Sequence, residues 1–241
     1  MGEEDPLRGW RGSGTVFFTR CNLRCQYCQN FDISQSDSGT DVQPEDLAEV
    51  FLELQASGCH NINLVSPTHI VPQILAAILI AAQSGLRLPI VYNTGGYDSL
   101  SALQLMDGVV DIYMPDMKYS NPQVGLLYSK IRNYPSINQA AVKEMHRQVG
   151  DLVIDSRGLA HRGLLVRHLV LPNHLAGTEE VIRFLAQETS PNTYLNLMDQ
   201  YYPAYLAKEY PRINRRITQE EWNDAISLAL KYGIHRLDHM R

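Results

Sequence analysis

The chain has 241 residues, of which 44% are hydrophobic and 20% charged, enough apolar material to bury a substantial core and too balanced a composition for disorder. Its net charge of −5 offers no broad basic field for a phosphate backbone, so nucleic acid is not an expected partner. No cationic start followed by an apolar run opens the chain, and its longest apolar stretch, Ile74 to Ala82, is far too short to cross a bilayer, so the expected location is cytoplasmic, without a membrane partner.

In chain order, residues 1–13 read as an N-terminal extension and TVFF at 15–18 as a first strand. After it, CNLRCQYC places Cys21, Cys25 and Cys28 within eight residues. A helix follows over 44–58, opened by Pro44 and closed by Gly58, with Leu47, Val50, Phe51 and Leu54 on one face. NINLV (61–65) is a second strand. The next helix carries Val71, Ile74, Leu75, Ile78, Leu79 and Ala82 as its apolar face and stops at Gly85. LPIVYN (88–93) and VVDIYM (109–114) are strands on either side of a helix over about 98–106, and two helices within 121–149 are expected to part at Pro135. A hairpin at 151–163 is the best place for an insertion and leads into LLVRHLVL (164–171), an unbroken buried-strand pattern. Thr178 opens a helix, YLNLM (194–198) is a sixth strand, and Thr218 with Glu221 forms a capping box for the last helix. Arg215 and Arg216 before it read as solvated charges.

Strands separated by helices pair in parallel through right-handed crossovers, which predicts an α/β fold: a partial (β/α)6 TIM-like barrel in a single domain spanning 1–241. In such folds the residues just past the strand ends converge on one mouth. Those positions hold the three cysteines, Ser66 to His69, Asn93 to Tyr97, Asp116 to Tyr119, Asn173 with His174, and Asp199 to Tyr202.

A structural zinc site would need a fourth ligand, and the spare candidates are Cys59 and His60. Both precede the second strand, whereas the cysteine loop follows the first, so a parallel array puts them at opposite ends of the sheet. Cys59 is therefore read as a packing residue. A [4Fe–4S] cluster fits three thiolates better, because the fourth iron is then left open for a ligand.

The spacing Cys21-x-x-x-Cys25-x-x-Cys28 directly after a first strand, with Tyr27 before the last cysteine, resembles the radical S-adenosylmethionine superfamily. The wording GSGTVFFTRCNLRCQYCQN, with PTH at 67–69, DMK at 116–118, RHLVLPN at 167–173 and MDQYYP at 198–203, is similar to the branch of pyruvate formate-lyase activating enzymes from about Gly9 onward. The resemblance implies a [4Fe–4S] cluster on Cys21, Cys25 and Cys28 and S-adenosylmethionine on its open iron. It places Tyr27 beside the adenine, though packing under the loop is an equal reading. Ser66 or Thr68 stands where many relatives have a carboxylate for the cofactor amine, while Asp116 and Lys118 match an Asp-x-Lys that reaches the cofactor ribose and carboxylate. Asn93 is placed facing the cofactor, and Gly95-Gly96 is read as permitting a tight turn. Relatives of this branch often carry further cysteines upstream; residues 1–20 hold none, so second-cluster chemistry is not expected.

The expected activity is reductive cleavage of S-adenosylmethionine to a 5′-deoxyadenosyl radical for hydrogen abstraction, with a reductant such as flavodoxin or ferredoxin as electron partner. Activation of a glycyl radical enzyme is the task the branch suggests. Direct modification of a small molecule or peptide is the second reading, and a noncatalytic iron–sulfur or metal-binding module is the third.

Overall fold

The computed structural model describes residues 4–36 and 38–238. Its elements run α1 (Asp5–Arg8), β1 (Gly14–Phe17), α2 (Phe31–Ser34), α3 (Pro44–Ala56), β2 (Ile62–Val65), α4 (Val71–Gln83), β3 (Ile90–Thr94), α5 (Leu100–Leu105), β4 (Ile112–Pro115), α6 (Pro122–Ser129), α7 (Tyr134–Val149), β5 (Val153–Ile154), β6 (Ala160–Leu169), α8 (Thr178–Phe184), β7 (Tyr194–Met198) and α9 (Gln219–Lys231). The strands lie in the order β1-β2-β3-β4-β6-β7, all neighbours parallel, and the short β5 pairs antiparallel with β6 as a hairpin. This is the α/β partial barrel expected from the alternation, with β1 and β7 at its two ends.

The register sorts every strand into two faces. Ile62, Leu64, Tyr92, Tyr113, Leu164, Val166, Leu195 and Leu197 are buried with the helices in the main core. The alternate residues face the lumen, as the period of two requires. Thr15, Asn63, Val91 and Ile112 align across β1 to β4, and Phe17, Val65, Asn93 and Met114 form the next layer toward the strand ends.

The amino end of the lumen is filled by α1. Leu7 is fully buried and packs with Val91, Ile112, Met114 and Leu165, and its carbonyl accepts from Asn61 Nδ2 at 2.9 Å. Burial of such a side chain contributes about 2 kcal/mol. Residues read from sequence as an extension thus act as a plug.

Three local expectations change. In α4 the buried residues are Val71, Ile74, Ala77 and Ala81, while Leu79 is 60% exposed and Ala82 is also exposed. The helix is apolar almost all round, so size alone misled the choice of face, and small alanines are what lets it approach the sheet. Val50, assigned to the buried face of α3, is exposed, and Ala48 is buried instead. Pro135 does not separate α6 from α7; it sits in the first turn of α7, where its missing N–H costs no hydrogen bond.

Candidate active site

The cysteine loop is held by groups that the surrounding elements leave unpaired. The last carbonyls of a helix lack internal donors, and here the α6 carbonyls of Tyr128 and Ser129 accept from Gln26 N at 2.7 Å and Arg24 N at 3.2 Å. On another side Asn22 Nδ2 donates to the Tyr97 carbonyl, and Gln26 O accepts from Leu206 N. Leu23 is buried and lies so near Gly95 that a Cβ there would meet its Cδ1 at 2.7 Å.

All three cysteines are free thiols, Cys25 buried and Cys21 and Cys28 half-buried. Cys25 Sγ shares a hydrogen bond of 3.0 Å with Ser129 Oγ, Cys28 Sγ one of 3.1 Å with Ser34 Oγ, and Cys21 Sγ accepts from Leu23 N at 3.4 Å. Burial pushes the Cys25 thiol up to about 11, with the Lys118 ammonium opposing the shift, and burial also raises Cys21. Cys25 and Cys28 line a cavity of about 440 Å3 in the lumen, a size typical of small-molecule sites. Among the described residues no three Cys, His, Asp or Glu side chains converge as on a single ion. A cubane binds each thiolate to a different iron and keeps its ligands further apart. The donor set therefore fits a cluster: three soft, undisulfided thiols on one loop, two of them opening on the cavity. Cys59 sits at the other end of β2, next to His60, whose ring meets Trp10 and whose N–H donates to the Gly12 carbonyl.

The same cavity collects Asn93, Asp116, Lys118 and Arg167. Asp116 is the hub. Arg167 Nε donates to its Oδ1 at 2.9 Å, Lys118 Nζ donates to Oδ2, and Arg167 Nη2 reaches Asn93 Oδ1 at 2.8 Å. Burial works to raise the Asp116 carboxyl, but Arg167 and Lys118 outweigh it and hold it below the usual range. Burial would likewise lower the Lys118 ammonium, and the Asp116 charge reverses that and raises it. Behind this triad, Asn138 Nδ2 donates to the Asp116 carbonyl at 2.9 Å, and Tyr134 OH shares its proton between that carbonyl and Gly95 O. His168 fixes the loop from β6. Burial holds its imidazole neutral, pushed down to about 4, and Nδ1–H donates to Met117 O while Nε2 accepts from Thr178 Oγ1.

Gly96 does more than permit a turn. At φ +73° a Cβ there would meet Asp116 O at 2.1 Å, so the residue must be glycine for the β3 and β4 exit loops to touch. Tyr27 lines the cavity but is packed edge-on against Tyr119 and Tyr201, its hydroxyl 2.6 Å from that of Tyr119, which in turn bonds Ser129. Thr68 spends its hydroxyl on the buried Asp98, donating at 2.8 Å, alongside Thr94 and Tyr92. Ser66 stands beside Asn93 with a left-handed backbone, φ +60°, its N–H donating to the Asn93 carbonyl. Of the remaining mouth positions, Gln200 joins the cavity, His69 lines a separate groove beside α3, and Asn173 turns to the start of α9.

Arg167 escaped the sequence reading. The signal was present: one cation inside the apolar run LLVRHLVL, which in a strand covered on both faces has to find a buried counter-charge. Glu4, in the segment before the first strand, lines the cavity and carried no such signal.

A family model of the radical SAM superfamily matches residues 15–185, and the chain belongs to that superfamily. Its cofactors are those of the superfamily, a [4Fe–4S] cluster and S-adenosylmethionine. An uncharacterized protein of Methanocaldococcus jannaschii is 34% identical over 244 residues, which take in 97% of this chain and 66% of that protein. SuiB of Streptococcus suis, solved with S-adenosylmethionine bound, matches at a TM-score of 0.62 and 10% identity, over 93% of this chain and 48% of SuiB. HydG, the FeFe-hydrogenase maturase of Carboxydothermus hydrogenoformans, matches at 0.63 and 14%, over 92% of this chain and 51% of HydG. The chain thus spans just under two thirds of the curated relative and about half of each solved one, and the structural likeness speaks to the fold.

Proposed function

We propose that Cys21, Cys25 and Cys28 hold the cluster, that Asn93, Asp116, Lys118 and Ser66 meet S-adenosylmethionine, and that the lumen beneath holds a small molecule or peptide side chain. One observation carries the reading: two of the three cysteines after β1 and a carboxylate and an ammonium after β4 open on one cavity. When bound, the cluster and its cofactor supply one-electron cleavage to a 5′-deoxyadenosyl radical that abstracts hydrogen.

The chain's own work is to bind, orient and dry the site. Lys118 offers an ammonium to a carboxylate, and Asp116 offers acceptors to hydroxyls. Arg167 keeps Asp116 ionised and Asn93 oriented. Tyr27 and Thr68 act one step back, Tyr27 by bracing the cysteine loop against Tyr119 and Thr68 by tying the β2 and β3 exits to Asp98. An electron reaches the site from a low-potential carrier such as flavodoxin or ferredoxin. The cavity of about 440 Å3 is of small-molecule size, so the lumen is assigned to a smaller substrate than the partner enzyme the activase motifs suggest.

The test is anaerobic reconstitution followed by reduction with S-adenosylmethionine present. The wild-type chain is expected to form 5′-deoxyadenosine and methionine. Cys25→Ala should lose bound iron and all turnover, and Cys59→Ala should keep its iron. An intact cluster that binds the cofactor without cleaving it would favour the noncatalytic module.

A further inference from the structure

Below the cysteines the lumen keeps two acceptors that the protein does not satisfy. Glu4 enters from the plug, is only 2% exposed, and lines the cavity. Its Oε1 accepts from Asn196 Nδ2 at 2.9 Å, and no donor among the described residues reaches Oε2. Asn63 comes from the lumen face of β2, is also 2% exposed, and lines the same cavity. Its Oδ1 is buried and has no hydrogen-bond partner. Native structures rarely leave such groups unpaired, because each forfeits its hydration without return, so a buried acceptor beside a cavity asks what donor completes it.

The cavity's own cations do not answer. Arg167 senses the Glu4 charge, but its Nε and Nη2 bond Asp116 and Asn93, and among the described residues it makes no ion pair with Glu4. Lys118 is committed to Asp116. A carboxylate in the lumen is therefore left without a contacting cation among the described residues, and the lining of the same cavity includes the residue of an amide oxygen without a donor.

We propose that this floor recognises an ammonium group, so that the substrate is a primary amine bound with its cationic end toward Glu4 and Asn63. The inference rests on the radical-enzyme reading of the same cavity. An ammonium carries three donors and no acceptor, and so serves both oxygens with one to spare. An alcohol brings one donor, and a carboxylate meets like charge at Glu4. The cysteines lie past the carboxyl end of β1, whereas Glu4 rises from the plug at the amino end, so the amine is anchored remote from the cluster. The carbon presented for hydrogen abstraction is then one further along the substrate, away from the nitrogen.

The reconstituted protein loaded with S-adenosylmethionine is titrated by calorimetry with n-butylammonium and with its chain-length matches 1-butanol and butyrate. The expected result is binding of n-butylammonium at least about tenfold tighter than 1-butanol, with butyrate weakest. Glu4→Gln, which keeps an oxygen for Asn196, erases that preference, and Asn63→Asp widens it, giving a second reading should the first variant not fold. Equal binding of n-butylammonium and 1-butanol to the wild type, or a preference that neither variant moves, overturns the proposal. Formation of 5′-deoxyadenosine by the same preparation separates the two readings. Cleavage without ammonium preference removes only the amine pocket. Preference without cleavage removes the radical function and leaves the pocket.

Discussion

The two ends of the barrel carry open cavities of similar size, about 440 Å3 at the carboxyl end and 380 Å3 at the amino end, and both are lined with charged residues. They differ in where those charges come from. At the amino end Arg8 pairs with Asp5 and Arg157 with Asp155, partners two or three residues apart, and the Arg8 and Arg157 side chains are 56% and 61% exposed. At the carboxyl end Asp116 leaves β4 and Arg167 comes from β6, and their side chains are only 13% and 21% exposed. At the amino end these neighbour pairs stay exposed and decorate a surface, whereas at the carboxyl end even the neighbour pair Lys118–Asp116 is buried, its side chains 17% and 13% exposed, because Arg167 arrives from another strand to share it. Pairs made across strands and then buried have to be held by the whole barrel, and desolvated groups of that kind mark the site.

The sharpest way to break this comparison is Asp116→Ala. It leaves Arg167 and Lys118 buried without their counter-charge, and the expected loss of stability is about 3–5 kcal/mol by urea denaturation. A loss below about 1 kcal/mol would mean that the carboxyl-end charges are as dispensable as surface pairs.

The contrast also explains what the sequence could tell. The β/α alternation was legible because strand and helix periods are local, and so was the cysteine loop, since its spacing needs no partner. The position of Cys59 followed from strand direction alone. Arg167 was not, because LLVRHLVL is buried on both faces and its period does not say which residue looks into the lumen. Thr68 looked like a free hydroxyl because Asp98, which takes it, lies on the next βα loop. Glu4 and Leu7 looked like an overhang because only closure of the sheet creates the space they fill. What sequence hides here is partnership between segments, and that is where the site departs from the motif.

A second, smaller effect separates long-range from local charge by pH. Glu221 is buried at the first turn of α9, where its carboxylate accepts from Arg215, from Thr218 N and from Asn173 N just past β6. Arg215, read from sequence as solvated, is thus a partner of this network. Its hydrogen bonds lead in holding the Glu221 carboxyl down to about 2, with burial opposing. A folded value below the ordinary one stabilises the fold fully above about pH 4.5, and that contribution is lost as pH falls toward about 2. Its size is on the order of 3 kcal/mol. In cluster-free protein, so that acid loss of iron does not enter, the stability gap between wild type and Glu221→Gln should close across that window. A gap that stays constant from pH 6 to pH 2 would show that Glu221 acts through packing.

The smallest expected effect belongs to the amino end. Arg8→Ala removes an exposed guanidinium from a pair one helical turn long, while Asp5 keeps a further interaction and Leu7 stays in its place beneath. Exposed pairs of this kind contribute about 0–1 kcal/mol, because the charges remain hydrated and ordering two long side chains offsets their attraction. The change in denaturation midpoint should therefore be slight at low salt and vanish near 1 M, where screening acts within about 3 Å. A loss approaching that of Asp116→Ala, or one indifferent to salt, would show that the plug is held by its charges. The distinction between the two ends would then rest on the cysteines alone.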